Sequence, residues 1–434
     1  MRRWSLIALL VLTVGLRVAY VFPGRLADAG HESRGAEPEM SAVSLVRNGE
    51  LGNVYYNPTG PTAHVSPLHP LMLAAIYAVF GPHTLAALLT QSFLAIGALA
   101  ATLACLPWLA RRIGMSEATG WVAAFALAVV PLNFFYETQG NWEQPFAALV
   151  LIGLLACFLE LRESSWQRPV LIGAAGLLSG IAALLSPALL PAIALMLLSE
   201  LVWPKTPRRR ILIGSVAVVA FTALIVTPWT IRNYYALGHF VPLRSNFGLE
   251  FSFGNSPEAT GSSNWADPDT SKIRHPQTTA EECQLLKDMG EVAYMRQRQA
   301  EAFQWIRENP GRFVELTIRR ARMFWFPGPE MFSTTSLVNT VKIVVFGAIS
   351  VLMFVSLIRL TRARNGAIGL LTATLFGASF IYLITHVELR YRMPIHALAT
   401  LLAADVALAM AFSFRRLRPG TRVTPQNAEP VSPT

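Results

Sequence analysis

Acidic and histidine side chains crowd the segment that follows the first hydrophobic stretch of this 434-residue sequence. An ionisable group held against a bilayer is costly, so such groups tend to be retained where they perform a function. Elsewhere the chain is mostly apolar, and only 14% of its residues are charged. The cluster therefore predicts chemistry on a substrate that arrives through lipid, and its members are Asp28, His31, Glu32, Glu37, Glu39, His64 and His69.

Glu37 and Glu39 are the candidate general bases or ligand anchors of this segment. Residues 39–48 can form a short helix whose first turn holds Glu39. The helix dipole favours a carboxylate at that position, so a solvated N-terminal acid remains an alternative interpretation. His64 and His69 are candidates for substrate binding. They give only weak support for a metal site, because no third ligand stands at a fixed spacing from them.

Basic side chains recur just beyond two other hydrophobic stretches. A planar guanidinium suits a phosphate at headgroup depth. An arginine next to aromatic residues is also typical of an interfacial anchor, and arginines close to acids can form ion pairs with them. Both interpretations stay open for Arg232 with its neighbour Asn233, and for Arg390 and Arg392 on either side of Tyr391.

Glu143 adds a carboxylate about one turn inside a further hydrophobic stretch. At that depth a carboxylate favours a polar cavity over contact with lipid. Acids, amides and arginines from at least four separated segments are thus predicted to meet at one face of the molecule, whereas the spans themselves carry almost no charge.

The composition indicates a polytopic membrane protein. Hydrophobic residues make up 53% of the chain, and the mean hydropathy is +0.43. The formal net charge is +10, but the basic residues cluster at the ends of apolar runs, as the positive-inside rule describes, which argues against nucleic-acid binding. Three cysteines without a spacing pattern predict neither a disulfide framework nor a zinc site.

Apolar runs of suitable length predict about ten transmembrane helices. The candidate spans are 4–22, 84–110, 116–137, 142–161, 169–185, 187–203, 210–229, 337–358, 366–386 and 394–413. We interpret the first as an uncleaved helix, and segment 67–81 as a helix that lies in the outer interface. The basic clusters then place both termini in the cytoplasm and the acid-rich loop outside it.

This topology divides the chain into four parts. Residues 1–230 form an N-terminal transmembrane module with a first periplasmic loop at 23–83. Residues 231–336 form a long periplasmic loop that contains helices at 279–308 and 312–326. Residues 337–418 hold the C-terminal transmembrane helices, and 419–434 form a disordered cytoplasmic tail rich in Pro, Thr and Ser.

Four motifs in this order resemble those of bacterial membrane glycosyltransferases of the GT-C superfamily, in particular the protein O-mannosyltransferase-like and aminoarabinose-transferase-like enzymes of glycosyltransferase family 39 and its neighbours. The first-loop motif runs from Glu39 through Thr59-Gly60-Pro61-Thr62-Ala63 and Pro67-Leu68-His69-Pro70 to Phe80-Gly81. The others are Pro228-Trp229-x-x-Arg232-Asn233-Tyr234 with Gly254-Asn255, the helical segment 298–325, and Arg390-Tyr391-Arg392-x-Pro394.

The resemblance implies an all-α GT-C fold and an inverting transfer of a sugar from a polyprenyl-phosphate donor to an acceptor hydroxyl at the periplasmic face of a bacterial inner membrane. It further implies a first-loop carboxylate as general base, a role that it assigns to Glu39, with Glu37 as the alternative. Arg232, Arg390 and Arg392 would bind the leaving phosphate. The family often has Asp in this loop and aromatic residues where this chain has His64 and His69.

Alternative functions are an O-antigen ligase or polymerase-like enzyme and a lipid or solute transporter. A transporter should show broken helices near the bilayer midplane and repeats, and no repeat is evident. The expected partners are the lipid-linked donor, a lipid, glycan or protein acceptor, and membrane lipids, without nucleic acid. No cofactor or metal ligand is assigned, and a divalent metal stays open.

Overall fold

The computed structural model describes residues 2–31, 36–55 and 57–417. Glu32 and the predicted tail 419–434 lie outside these ranges. Within them the regular structure is helical, with two isolated β-bridges between loop residues. This confirms the prediction of an all-α architecture.

The N-terminal half of the chain contributes ten α-helices. They are α1 (Arg2–Asp28), α2 (Glu37–Asn48), α3 (Leu68–Phe80), α4 (Leu85–Arg112), α5 (Glu117–Val129), α6 (Phe134–Thr138), α7 (Gln144–Glu163), α8 (Pro169–Leu185), α9 (Leu190–Val202) and α10 (Arg208–Leu237).

Seven more α-helices follow in the described part of the chain. They are α11 (Phe247–Gly254), α12 (Ala280–Met289), α13 (Glu291–Glu308), α14 (Pro310–Trp325), α15 (Leu337–Arg362), α16 (Ile368–Ile384) and α17 (Met393–Leu417). Short 3₁₀ turns lie at Pro187–Leu189, Thr270–Lys272, Pro329–Met331 and Leu389–Arg392.

Six of the described helices, α1, α4, α7, α10, α15 and α17, are long and apolar enough to cross a membrane. The other four predicted spans correspond to shorter apolar helices, α5, α8, α9 and α16, and α6 falls inside the span predicted at 116–137. A 13-residue helix such as α5 rises only about 20 Å, less than the hydrocarbon thickness of a bilayer. The chain is a polytopic membrane protein.

The apolar core lies between the helices of this bundle. Residues of α4, α5, α7, α16 and α17 form one continuous buried cluster. By contrast, only 22% of the most apolar 18-residue stretch is buried in α1 and in α10, and only 28% of the corresponding stretch is buried in α15. These three helices therefore present most of their apolar surface to the surroundings, as expected of helices at the rim of a membrane bundle.

The long segment between α10 and α15 differs from its prediction in two respects: its start, predicted as irregular over 246–276, contains α11, and its helical part is divided. The pattern over 279–308 predicts one helix, but the structure has two, α12 and α13, which meet at Gly290. Gly290 has φ +78°, which interrupts the right-handed helix and which a residue without a Cβ adopts at little cost.

Basic side chains gather at one end of the bundle. Arg112 pairs with Glu160 at 2.5 Å, and Arg162 donates to the carbonyl of Trp203 at 3.1 Å. Arg210 donates to the carbonyl of Ser165. The loops that carry these residues thus meet at one end, and the acid-rich first loop, the 138–143 turn and the 385–392 turn meet at a different place.

Candidate active site

A cavity of about 350 Å³ opens where the first loop meets the turns that precede α7 and α17. Its walls come from α2, the 3₁₀ turn after α8, the loop before α11, and the end of α16. The cavity is rich in ionisable and aromatic groups. These are Glu37, His69, Trp142, Glu143, Arg244, Phe247, Glu250, Tyr382, His386, Arg390 and Tyr391.

Glu37 is the first-loop acid that lines this cavity. Helix α2 begins at Glu37, with Pro38 in its first turn, so the carboxylate stands at the positive end of the helix dipole. Its Oε1 lies 3.3 Å from Nε2 of His64, and Nδ1 of His64 is 3.1 Å from the Tyr55 hydroxyl. The result is a Tyr–His–Glu chain that ends in the cavity.

The surrounding charges keep Glu37 ionised. Burial would raise the pKa of its carboxyl, but His64, His275 and Arg244 outweigh burial and hold the pKa at about 2. Burial would lower the pKa of His64, whereas Glu37 raises it more, so the net pKa lies above its ordinary value. The contact between the two side chains therefore favours the charged form of both.

Arg244 and Arg390 both turn guanidinium groups to the cavity. Nε of Arg244 donates to the carbonyl of His64 at 2.7 Å. Nε of Arg390 lies 2.6 Å from a Glu388 oxygen, and its Cζ stands 3.8 Å above the Trp142 ring. In each case a contact through Nε anchors the side chain in the cavity wall, and a guanidinium group can bind an anion as a fork of donors.

A second Tyr–His–Glu chain also lines the cavity. Nε2 of His386 is 3.0 Å from the Tyr391 hydroxyl, and its Nδ1 is 3.6 Å from an oxygen of Glu250. Burial lowers the pKa of His386, and the nearby acids only partly oppose this. This histidine is therefore neutral near neutral pH, unlike His64.

Glu39 lies elsewhere, although it shares the first turn of α2 with Glu37. Its Oε1 accepts from the Tyr77 hydroxyl at 3.0 Å and lies 3.4 Å from Nδ1 of His83. It is only 2% exposed and is not among the residues that line the cavity. The contacts of Glu39 connect α2 to α3 and to the turn before α4.

Arg232 and Asn233 hold loops together rather than facing the cavity. Arg232 donates to the carbonyls of Thr62 and Leu51, at 2.6 and 2.7 Å. Asn233 is fully buried, and its Nδ2 donates to the carbonyl of Val241 at 2.9 Å. Both side chains fix the first loop and the 238–245 loop onto the end of α10.

Arg392 is likewise buried away from the cavity. It donates to the carbonyls of Trp325 and Phe346, at 2.9 and 3.2 Å, and to the Ser350 hydroxyl at 2.7 Å. It ties α14, α15 and the start of α17 together. Of the predicted site residues, Glu37, His69, Glu143, Arg390 and Tyr391 line the cavity, His64 contacts it through Glu37, and Glu39, Arg232, Asn233 and Arg392 do not line it.

An apolar groove of about 470 Å³ adjoins this cavity. His69 and Leu185 line both spaces. The other walls of the groove are aliphatic or aromatic side chains of α3, α7 and α8, namely Leu68, Leu71, Met72, Phe146, Leu149, Val150 and Ile181. Its lining suits a hydrocarbon chain whose polar end would reach the cavity.

Within 2–31, 36–55 and 57–417, no group of three or more His, Cys, Asp or Glu side chains is arranged to bind a metal ion. Several cavity residues were not singled out from the sequence as site residues, among them Arg244, Glu250 and Trp142. Arg244 is a lone basic residue in an irregular loop, and its one signal is the scarcity of charge around it.

Comparison with known proteins identifies the fold. No protein-family model and no curated protein sequence matches the chain. Among solved structures, the archaeal oligosaccharyltransferase AglB from Archaeoglobus fulgidus, in complex with an inhibitory peptide and a dolichol-phosphate, is 14% identical with a TM-score of 0.55; the match covers 99% of this chain and 52% of AglB.

Two further structures are similar. The oligosaccharyltransferase of the same organism, tethered with an acceptor peptide, is 15% identical with a TM-score of 0.55, covering 96% of this chain and 50% of that one. ArnT from Cupriavidus metallidurans is 14% identical with a TM-score of 0.35, covering 91% and 76%. The chain spans about half the length of the two oligosaccharyltransferase structures. The bundle described above is thus the GT-C fold, which this chain shares with the archaeal oligosaccharyltransferase.

Proposed function

We propose that this protein is an inverting glycosyltransferase that moves a sugar from a polyprenyl-phosphate donor to an acceptor hydroxyl. The observation that carries this proposal is the cavity in which an ionised carboxylate, Glu37, and two arginines, Arg244 and Arg390, converge. A carboxylate can accept a proton, and paired guanidinium groups can bind a phosphate. The shared GT-C fold supports this class of reaction.

Glu37 acts as the general base. The acceptor oxygen attacks the anomeric carbon of the donor sugar, its proton passes to Glu37, and the bond from that carbon to the phosphate oxygen breaks. His64 contacts the same carboxylate and holds it in place. Because Glu37 has a low pKa, it takes the proton late, when the attacking oxygen has already become acidic.

Arg244 and Arg390 stabilise the leaving group. As the bond breaks, negative charge grows on the lipid phosphate, and preorganised donors at that place lower the barrier. The Trp142 ring and Glu388 hold the Arg390 guanidinium in one orientation, so little reorganisation is needed.

The apolar groove receives the prenyl chain of the donor. It shares His69 and Leu185 with the cavity, so a chain in the groove would carry its phosphate toward the arginines. The AglB structure named above holds a dolichol-phosphate, which is a lipid phosphate of the same chemical kind. The acceptor is a lipid, a glycan or a protein with an accessible hydroxyl, and the reaction takes place at the periplasmic face.

A pair of matched variants tests the assignment of the base. Purified Glu37→Gln and Glu39→Gln proteins are assayed for sugar transfer from polyprenyl-phosphate donors in detergent. Replacing Glu37 should lower turnover about 10²–10⁴-fold, the usual contribution of a positioned base. Replacing Glu39 should leave the turnover of the folded protein close to that of the wild type.

The reverse result, with Glu39→Gln inactive and Glu37→Gln active, would move the base to Glu39. Transfer that neither variant diminishes would refute the carboxylate mechanism.

A further inference from the structure

A second polar cavity lies on the other side of α11. It has a volume of about 480 Å³. Phe247 and Glu250 of this helix line the candidate active site, whereas Ser252, on the opposite face, lines the second cavity. The two spaces are therefore separated by little more than the diameter of one helix, about 10 Å.

One face of α13 forms the floor of this second cavity. Arg298, Glu301, Ala302 and Trp305 follow one another at helical spacing and all line it. Ala302 is 1% exposed, and its small side chain leaves room above the helix. Trp305 also lines the cavity and is half-buried, so part of its indole surface is available for contact with a ligand.

Arg298 is a buried cation with donors left over. It is 3% exposed, and its Nη1 lies 3.0 Å from an oxygen of Glu301. Its Nη2 stands 3.4 Å from Glu282, but neither Nη2 nor Nε makes a hydrogen bond within the described residues. The hydroxyl of Ser256 in the same wall is also buried without a partner. Buried donors without partners are uncommon and point to a ligand that supplies acceptors.

The charges around the cavity are of both signs and are largely paired. Lys272, Arg274 and Arg298 in the wall contribute three positive charges, Glu258 and Glu301 in the wall contribute two negative ones, and Asp269 beside Lys272 and Glu282 behind Arg298 add two more. Such a site has no large net charge that would select an anion or a cation. It offers carboxylate acceptors and guanidinium donors next to an aromatic ring, which suits a neutral polyhydroxylated molecule.

We propose that this cavity binds a neutral saccharide, with the Trp305 ring against the apolar face of a sugar and Arg298, Glu258 and Glu301 bonded to its hydroxyl groups. Saccharide binding here does not depend on the proposed transferase activity. Only the role of the bound sugar rests on that function: a glycan acceptor could bind here while its terminal hydroxyl lies in the active site on the other side of α11.

Saturation-transfer-difference NMR on the full-length protein in detergent tests this proposal. The probes are maltose, cellobiose, lactose and chitobiose, each measured separately. At least one disaccharide should receive saturation from the wild type, and Trp305→Ala should reduce that signal at least about fivefold, as expected from the loss of a stacking aromatic ring. Glu258→Gln, which removes a wall carboxylate without emptying the cavity, should weaken it as well.

Two controls separate the outcomes. Tyr235→Ala removes an aromatic ring that is 83% exposed and lies outside both cavities, so its signal should equal that of the wild type. Glu37→Gln should bind the disaccharide normally even when it is inactive in transfer, which distinguishes this site from the active site. No transfer of saturation to any of the four probes, or equal transfer in the wild type and in both Trp305→Ala and Glu258→Gln, would overturn the proposal.

Discussion

His64, which contacts the candidate active-site cavity through Glu37, and His386, which lines it, have pKa values shifted in opposite directions, and their carboxylate partners lie at different distances. Nε2 of His64 lies 3.3 Å from Glu37, and Nδ1 of His386 lies 3.6 Å from Glu250, whose other oxygen already accepts from Asn246. The shorter contact raises the pKa of His64, whereas burial dominates at His386 and lowers its pKa. Charge on the histidine is therefore favoured in the chain that ends at Glu37 and disfavoured in the chain that ends at Glu250.

His64→Gln should flatten the dependence of stability on pH. Because the pKa of His64 is raised in the folded protein, its contribution is complete below the ordinary value of 6.5 and is lost as the pH rises through the raised pKa. Above about pH 6.5, as the pH rises through this raised pKa, the wild-type melting temperature should thus fall more steeply than that of His64→Gln. Thermal unfolding in detergent at several pH values measures both.

The Glu37→Gln, His64→Gln double variant is the control, because it removes both charges and should show the same shallow slope. Equal slopes in the wild type and in His64→Gln would mean that the pair is not charged. At low pH the wild type should in addition lose stability as the pH falls from 4.5 toward the Glu37 pKa of about 2, where that carboxylate takes up a proton.

Arg390→Lys should impair transfer without unfolding the protein. A lysine keeps the charge but cannot bind a phosphate through two parallel donors or lie flat on the Trp142 ring. We expect turnover with a polyprenyl-phosphate donor to fall about 10–100-fold, which corresponds to the loss of one charge-assisted hydrogen bond. Turnover per folded protein is the measurement.

Arg392→Lys is the matched comparison, two residues along the chain. It should instead lower the melting temperature, because the buried Arg392 donates to Trp325, Phe346 and Ser350. If Arg392→Lys lost turnover at unchanged stability and Arg390→Lys did not, the phosphate would have to be assigned to Arg392.

The sequence predicted the acid-rich loop, and the resemblance assigned the base to Glu39 ahead of Glu37, whereas Glu37 is the one that lines the cavity. Successive helical residues are rotated by about 100°, so Glu37 and Glu39 differ by about 200° around α2. One therefore points to the cavity and the other to Tyr77 and His83, and only the docking of the helix decides which. Arg244 could not be predicted as a site residue either, because its position in the cavity depends on a tertiary contact, the hydrogen bond from its Nε to the carbonyl of His64 in the first loop.

At the scale of helices, α8 and α10 pack closely through two glycines. A Cβ at Gly176 would lie 2.5 Å from Cβ of Phe221, and a Cβ at Gly180 would lie 2.5 Å from Cβ of Ile225. Small residues four positions apart allow two membrane helices to approach without an intervening side chain. These two positions set the distance between α8 and α10.

Gly180→Ala should therefore destabilise the bundle. The added methyl group overlaps Ile225, and overpacking of this kind costs about 1–3 kcal/mol. Gly173→Ala in the same helix is the control, since no atom lies within 4 Å of a Cβ there and the change should be neutral or slightly stabilising. Melting temperatures of the two variants in detergent compare them, and equal values would show that α8 and α10 are not in close contact.

The helices themselves were largely predictable, because long apolar runs determine them. The interruption of the span predicted at 116–137 was not. Pro131 ends α5, and the chain then enters α6, where Glu137 binds the buried Arg17 of α1 at 2.6 Å. That pair satisfies carbonyls at the end of α5, to which Arg17 also donates. A hydropathy pattern cannot predict an ion pair between two residues that lie 120 positions apart in the sequence.

Across the whole molecule, charge is divided between two regions. One end holds the clustered bases Arg112, Arg162 and Lys205 around a small cavity of about 220 Å³. The acid-bearing cavity lies at the opposite ends of α7 and α16. It is lined by the turn that precedes α7 and by the turn that follows α16. The positive-inside rule then predicts that the basic end faces the cytoplasm and the active-site cavity faces away from it.

Cysteine labelling in intact cells tests this orientation. In a background in which Cys105, Cys157 and Cys283 are replaced by Ser, Ser271→Cys introduces a thiol in the loop near the active site, and Gln167→Cys introduces one at the basic end. Both positions are exposed, so access depends on the side of the membrane and not on burial.

A membrane-impermeant maleimide should label the cysteine at position 271 in intact cells and the cysteine at position 167 only after the cells are opened. An arginine-rich end is held on the cytoplasmic side because the translocation of basic residues is disfavoured. Labelling of both positions in opened cells verifies that each thiol is reactive. If position 167 were labelled in intact cells and position 271 were not, the cavity would face the cytoplasm, and a donor displayed at the periplasmic face could not reach Glu37.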